Sequence, residues 1–270
     1  MTISTSPQDK TGQPVAGTAS FSKFMRVLDA IAGNAGPGVT IQDLSVSVGY
    51  PKPTLYRIVD ALLAEGLIIN KGGQLFGLGP RLISLASQAL ETSDLRKVCR
   101  EQLMALRDLT SETVHLAVPV NGAMTYIDKL ESPQAVRMNS RLGSQVTFYS
   151  SSVGKAYLAA LKDDAHRRRL VGAITFEKFT DNTLSGPDAL YQEIRDIEQQ
   201  GFSEDREENE LDIFCYGCAI VDQHARPVAC ISISIPLFRI AADRRKTYIE
   251  PLIDACKVLS QKLRLLDIDA

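Results

Sequence analysis

Two groups of residues in this chain have types and spacing suited to chemistry, and each suits a different kind. In residues 51–66, PKPTLYRIVDALLAEG, the apolar side chains of Leu55, Ile58, Val59, Leu62 and Leu63 recur at the i, i+3, i+4, i+7, i+8 spacing of a buried helical stripe. The other side of that helix offers Lys52, Tyr56 and Arg57 with Thr54 beside them, groups that donate hydrogen bonds to phosphates and base edges. Taken alone, such a face is usually a solvated helix surface. The second group lies in three later segments. Ser150-Ser151-Ser152-Val153-Gly154-Lys155 stands at a helix start, where unpaired N–H groups and the positive end of the dipole suit a carboxylate or phosphate, or where serines simply cap. In Cys230-Ile231-Ser232-Ile233-Ser234-Ile235 the strict alternation sends Ser232 and Ser234 to one face of a strand, toward a polar pocket or toward solvent. The acidic run of residues 204–212 leads into Cys215, and runs of this kind are ordinarily solvated loops.

Sharper catalytic motifs fail on the same residues. A phosphate-binding P-loop needs Gly where Tyr149 stands and Ser or Thr after Lys155, where Ala156 stands. Ser152-x-x-Lys155 has the spacing of a serine acyl-enzyme, but the partner Ser-Asp-Asn motif is missing and Lys-Thr-Gly occurs only at residues 10–12. Cys215-x-x-Cys218 with His224 nearby resembles half a zinc site, yet in the strand that IFCYGCAIV predicts, side chains three apart point to opposite faces, so no metal or other cofactor is expected. The histidines, His115, His166 and His224, fall outside the three segments and are read as surface or structural residues.

The elements that must position these groups follow from periodicity. A helix is expected over residues 21–32 with Phe21, Phe24, Met25, Leu28 and Ile31 on one face, and a second over 41–48, capped by Thr40 with Asp43 three residues on. Val48-Gly49-Tyr50 turns into Pro51, and after Gly66 two short apolar runs flank Lys71-Gly72-Gly73 as a hairpin. Three helices and a hairpin in this order describe a winged helix-turn-helix. A helix from Pro80 and another over residues 95–109 follow; the first is either a rigid spacer or a route for signals. From Thr113 the pattern changes to strands, VHLAVPV and AMTYIDKL across Asn121-Gly122, then AVRMNSRLG. A helix from Ser152, another over residues 189–200, strands IFCYGCAIV and VACISISIPL and a last helix over 243–265 complete an α+β domain.

A chain of 270 residues accommodates two domains, and 44% hydrophobic with 23% charged residues is ordinary for a globular protein. With a net charge of −2, any nucleic-acid affinity must come from local clustering on one helix and its wing. No apolar run approaches the ~20 residues of a membrane span and no export signal is visible, so a cytoplasmic protein with five free thiols and no membrane partner is expected. Residues 1–19, poor in large apolar side chains, are expected to form a flexible tail.

Pro53-Thr54-Leu55-Tyr56-Arg57-Ile58-Val59-Asp60-Ala61-Leu62 resembles the third helix of the IclR family of bacterial transcription regulators, S-x-T-x-x-R-hydrophobic-hydrophobic-x-x-L; Pro53 departs from it. Gly201-Phe202 through Glu207-Glu208, then Cys215, then Ser232-Ile233-Ser234 match that family's later pattern without a gap, with Asp212 and Ile235 standing where it has Gly. The resemblance implies a winged helix-turn-helix over residues 20–79, a linker helix over 80–93 and a GAF-like effector-binding domain over 94–270. It further implies that Lys52, Thr54, Tyr56, Arg57 and Lys71 contact double-stranded operator DNA. A small organic acid effector would be surrounded by Ser152 and Val153 N–H groups, Asp205, Cys215, Ser232 and Ser234, with Met138 and Val146 as apolar walls. A homo-oligomer, a dimer or dimer of dimers, acting as a catabolic repressor is implied. The alternatives are an enzyme that uses the α+β domain on a small carboxylate, with the N-terminal helices as accessory, and a ligand-binding module acting through protein contacts alone.

Overall fold

The computed structural model describes residues 19–34, 36–136 and 138–266, so the expected tail over residues 1–19 lies outside them except for Ala19, which opens the first helix. The chain divides into two compact units that meet in sequence at Thr92 and Ser93.

In the first unit α1 (Ala19–Ala32), α2 (Ile41–Val48) and α3 (Lys52–Ala64) enclose a core of Val27, Leu28, Ile31, Leu44, Leu55, Ile58, Val59 and Leu62. Thr40 and Asp43 form the expected capping box on α2, and Gly49, at φ +71°, turns the chain toward α3. Ser45 closes that turn by donating to the Tyr50 carbonyl at 3.0 Å. Strands β1 (Ile68–Asn70) and β2 (Phe76–Leu78) pair antiparallel as the wing. The first turns of α1 run past the core, so Phe21 and Met25, expected on the buried face, are 65% and 40% exposed, and Val27 takes a buried place instead. Helix α4 (Pro80–Thr92) packs Leu82 against this unit while Ile83 and Leu85 stay exposed.

The second unit is a six-stranded antiparallel sheet of order β5-β4-β3-β8-β7-β6, made from β3 (Thr113–Val120), β4 (Ala123–Leu130), β5 (Gln145–Val146), β6 (Ser203–Arg206), β7 (Ile213–Val221) and β8 (Pro227–Pro236). Asn121 and Gly122, both at positive φ, make the β3–β4 hairpin turn. One sheet face carries Val114, Leu116, Tyr216, Cys218, Ile231, Ile233 and Ile235 against α5 (Asp94–Thr110) and α9 (Glu250–Leu266). The other face, with Ala117, Met124 and Cys230, packs on α6 (Ser152–Ala160) and α8 (Pro187–Gln200).

Several expectations are corrected here. The described residues of the segment AVRMNSRLG form no strand; the carbonyls of Met138 and Ser140 instead accept from the Lys129 ammonium at 2.8 and 2.7 Å. The helix from Ser152 stops at Ala160, and Asp163 caps a separate α7 (Asp164–Gly172) by accepting from the His166 N–H. The last helix begins with a π turn over Arg245–Ile249, ahead of Pro251, which has no N–H for the regular ladder. The acidic run is not a solvated loop: its start is the edge strand β6, and Asp205 and Glu208 are buried.

Candidate functional site

On α3 the sequence-selected side chains stand where a partner can reach them. Lys52, Tyr56 and Arg57 are exposed and Thr54 is half-buried, while on the reverse face Leu55, Ile58, Val59 and Leu62 are in the core and Leu63 packs against it half-buried. Pro53 lies in the first turn, where its missing N–H costs the helix nothing. On the wing Lys71 is exposed and its stem lies over Gly77, where any Cβ would meet it. These are cations and donors on a convex surface, the arrangement that meets phosphates and groove edges.

In the second unit the antiparallel register builds a polar row on the α6 face. Thr113 pairs with Ser234, Ser234 with Cys215 and Cys215 with Asp205; beside it Lys129 pairs with His115, His115 with Ser232, Ser232 with Gly217 and Gly217 with Ser203. Both serines are nearly inaccessible to solvent, at 1% and 5%, which removes the solvent-facing alternative for this strand. The Cys215 thiol donates to Ser234 Oγ at 3.2 Å, and the two serine hydroxyls lie 3.5 and 3.4 Å from His115 Nδ1. Cys218 points to the opposite face, toward Cys256 and α9, as the strand geometry requires.

The start of α6 covers this row. A Cβ on Gly217 would lie 2.6–2.7 Å from the Ser152 backbone, so glycine there lets the helix end press onto the sheet; one on Gly154 would lie only 2.4 Å from the Thr147 carbonyl, so glycine there lets the helix press onto the turn that precedes it. Ser151 caps the helix through the Gly154 N–H, and the Ser152 carbonyl accepts from Ser203 Oγ at 2.6 Å. The Ser152 and Val153 N–H groups precede the first intrahelical bonds and carry the positive end of the dipole. Val146 packs with Met124 and Tyr126 in the α6-side cluster. Met138 is half-buried on the loop that Lys129 holds, two residues from Ser140.

His115 belongs to this constellation, contrary to its reading as a bystander. Its Nε2 lies 2.7 Å from Ser140 Oγ and its ring stacks on Tyr126 with centroids 4.4 Å apart. Burial, and then the nearby Lys129 charge, hold its pKa down to about 3, so the imidazole is neutral. The signal was available: in VHLAVPV, His115 alternates with Val114 and Leu116 and so shares a face with Thr113 and Ala117. Burial, and then Glu208, push Asp205 up to about 7, while its Oδ1 accepts from the Glu208 and Asn209 N–H groups at 2.8 and 3.3 Å. Burial also raises the thiol of Cys215 and the phenol of Tyr126. Lys155, fully buried, pairs with Glu208 and lies 3.5 Å from Glu193, a structural role that explains a lysine within the serine motif. Asp212, standing where the family pattern has Gly, adopts φ +63°, so the backbone there is left-handed. Ile235 fills the α9-side core.

The comparisons with known proteins agree with this architecture. Residues 87–261 match the family described as bacterial transcriptional regulator IclR C-terminal, and residues 20–69 match the IclR helix-turn-helix domain. The HTH-type transcriptional regulator KdgR of Escherichia coli is 28% identical over 91% of this chain and 92% of its own. The transcriptional repressor IclR of Escherichia coli is 27% identical over 93% and 94%. A solved IclR homologue from Microbacterium hydrocarbonoxydans, complexed with 4-hydroxybenzoate, shares the fold with a TM-score of 0.72 at 22% identity, covering 91% of this chain and 99% of that one. Among the described residues no helix is long and apolar enough to cross a membrane. With these matches over an exposed helix, its wing and this sheet, the chain belongs to the IclR family of bacterial transcriptional regulators, DNA-binding proteins rather than enzymes.

Proposed function

We propose that this chain is a ligand-responsive repressor of a catabolic operon. Lys52, Thr54, Tyr56 and Arg57 on α3, with Lys71 on the wing, contact double-stranded operator DNA. A small organic acid is held by the α6 start and the row of Ser232, Ser234, Cys215, Asp205 and His115, with Met138 and Val146 toward its apolar side. The carrying observation is that both serine hydroxyls are buried on one sheet face beside neutral His115 and the Cys215 thiol, beneath a helix N-terminus. The repressor among the relatives and the hydroxybenzoate in the similarly folded homologue support the same reading. One winged helix covers few base pairs, so the chain acts as a homodimer or dimer of dimers on a pseudo-palindrome.

The test is a gel shift with DNA from upstream of the chain's own gene, repeated with a panel of keto, hydroxy and aromatic acids. Changing Ser232 and Ser234 together to Ala is expected to abolish the ligand response and leave operator binding intact, each lost donor costing about 1–3 kcal/mol of ligand affinity. An acid that binds the double variant as tightly as the parent would move the pocket elsewhere. Light scattering that finds a monomer both free and on DNA would remove the oligomer.

A further inference from the structure

The charges around the proposed effector site do not balance for a second anion. Asp205 is 4% exposed and lies in the same cross-strand row as Ser234, two strand spacings away, with Cys215 between them. Two strand spacings are about 10 Å, and at an effective interior dielectric of about 20 two like charges at that distance disfavour each other by more than about tenfold.

Every element packed around Asp205 adds to this picture. From the 207–210 turn come Glu208, 2% exposed as a side chain, and Glu210, while Asn209 supplies an N–H. From α6 comes Lys155, already paired with Glu208 and Glu193; Arg206 on β6 is paired with Glu193 and Glu204. From β4 come the Tyr126 phenol and Lys129, whose ammonium is taken by Glu131 and two carbonyls; β3 supplies neutral His115 and β7 the Cys215 thiol. Each of these cations among the described residues is thus engaged by protein acceptors, and the donors left for a ligand are hydroxyls and the N–H groups of one helix start.

We infer that the site takes up a monocarboxylate together with one proton, which resides on Asp205, and that it refuses dicarboxylates for the same reason. The inference rests on the effector reading above and adds its charge rule. Protonated Asp205 then donates to a hydroxyl or carbonyl at the far end of the ligand. An anion arriving at ionised Asp205 must first restore that proton. Because burial already holds this carboxyl near 7, the cost is small at pH 6 and grows above pH 7.

The experiment is isothermal titration calorimetry of the full chain with glyoxylate, pyruvate and 4-hydroxybenzoate, and with terephthalate as the dianion matched to the last. For an acid that binds, affinity is expected to be about tenfold weaker at pH 8 than at pH 6, as a group titrating near 7 requires. At pH 8 the heat should vary with the ionisation enthalpy of the buffer as uptake of about half a proton or more demands. Terephthalate is expected to bind at least tenfold more weakly than 4-hydroxybenzoate. Asp205→Asn keeps an acceptor for the two N–H groups and should remove both the pH dependence and the proton uptake. Binding without proton uptake at pH 8, or a pH dependence that survives in Asp205→Asn, overturns the charge rule and leaves the effector reading standing. Failure of every acid to bind at either pH overturns both.

Discussion

Lys52, Tyr56 and Arg57 stand in solvent on a helix whose reverse face is core, whereas Ser232, Ser234 and His115 lie under a helix end with almost no solvent contact. The difference separates binding from folding. On α3 the anchoring residues and the residues proposed to meet DNA are different side chains, so one of the latter can be changed without touching the core. Beneath α6 they are the same side chains: each polar group is part of the packing, and its replacement changes the unit's stability as well as its chemistry.

The largest break in that comparison should come from Lys155→Met. It leaves buried Glu208 with only Arg206, 3.9 Å away, for a counter-charge, at about 3 kcal/mol of stability in denaturant unfolding of the second unit. Gly154→Val drives a side chain into the Thr147 and Phe148 backbone and should cost about 3 kcal/mol by the same measurement, with the first unit's transition unmoved.

Asp205 sharpens the comparison through pH. Its folded value near 7 exceeds the ordinary 3.8, so the folded chain keeps a proton that the unfolded chain gives up. That contribution is complete below about pH 4 and is lost as pH rises through 7. Relative to the parent, Asp205→Asn should therefore gain about 2 kcal/mol between pH 5 and pH 8 in urea unfolding. His115 works in the opposite direction: held near 3, it contributes above about 6.5 and loses that contribution as pH falls toward 3.

The solvent-facing site predicts smaller and cleaner effects. Arg57→Ala should weaken operator binding by about 1–3 kcal/mol in a gel shift at matched salt, while unfolding moves by less than about 0.5 kcal/mol. Unchanged operator affinity in that variant would remove α3 from its proposed role. Lys71→Ala should do least, lowering the slope of log affinity against log salt by about 1 if it meets one phosphate.

Much of this molecule was legible in residue order because its signals are local. The capping box at Thr40 and Asp43, the apolar stripe of α3, the Asn121-Gly122 turn and the alternation of Ser232 and Ser234 each depend on neighbours within a few positions, and each is found in place. The α3 cations were legible for the same reason, since helical period alone separates the two faces. What local pattern could not supply was which strand lies beside which. His115 and Ser232 are neighbours only because β3 and β8, more than a hundred residues apart in sequence, pair in one register. Tertiary packing alone decided that the serine face is buried rather than wet, that the acidic run becomes an edge strand with Asp205 inside, and that Lys155 answers Glu208. Periodicity states which residues share a face; the charge and solvation of that face depend on what the rest of the chain lays against it.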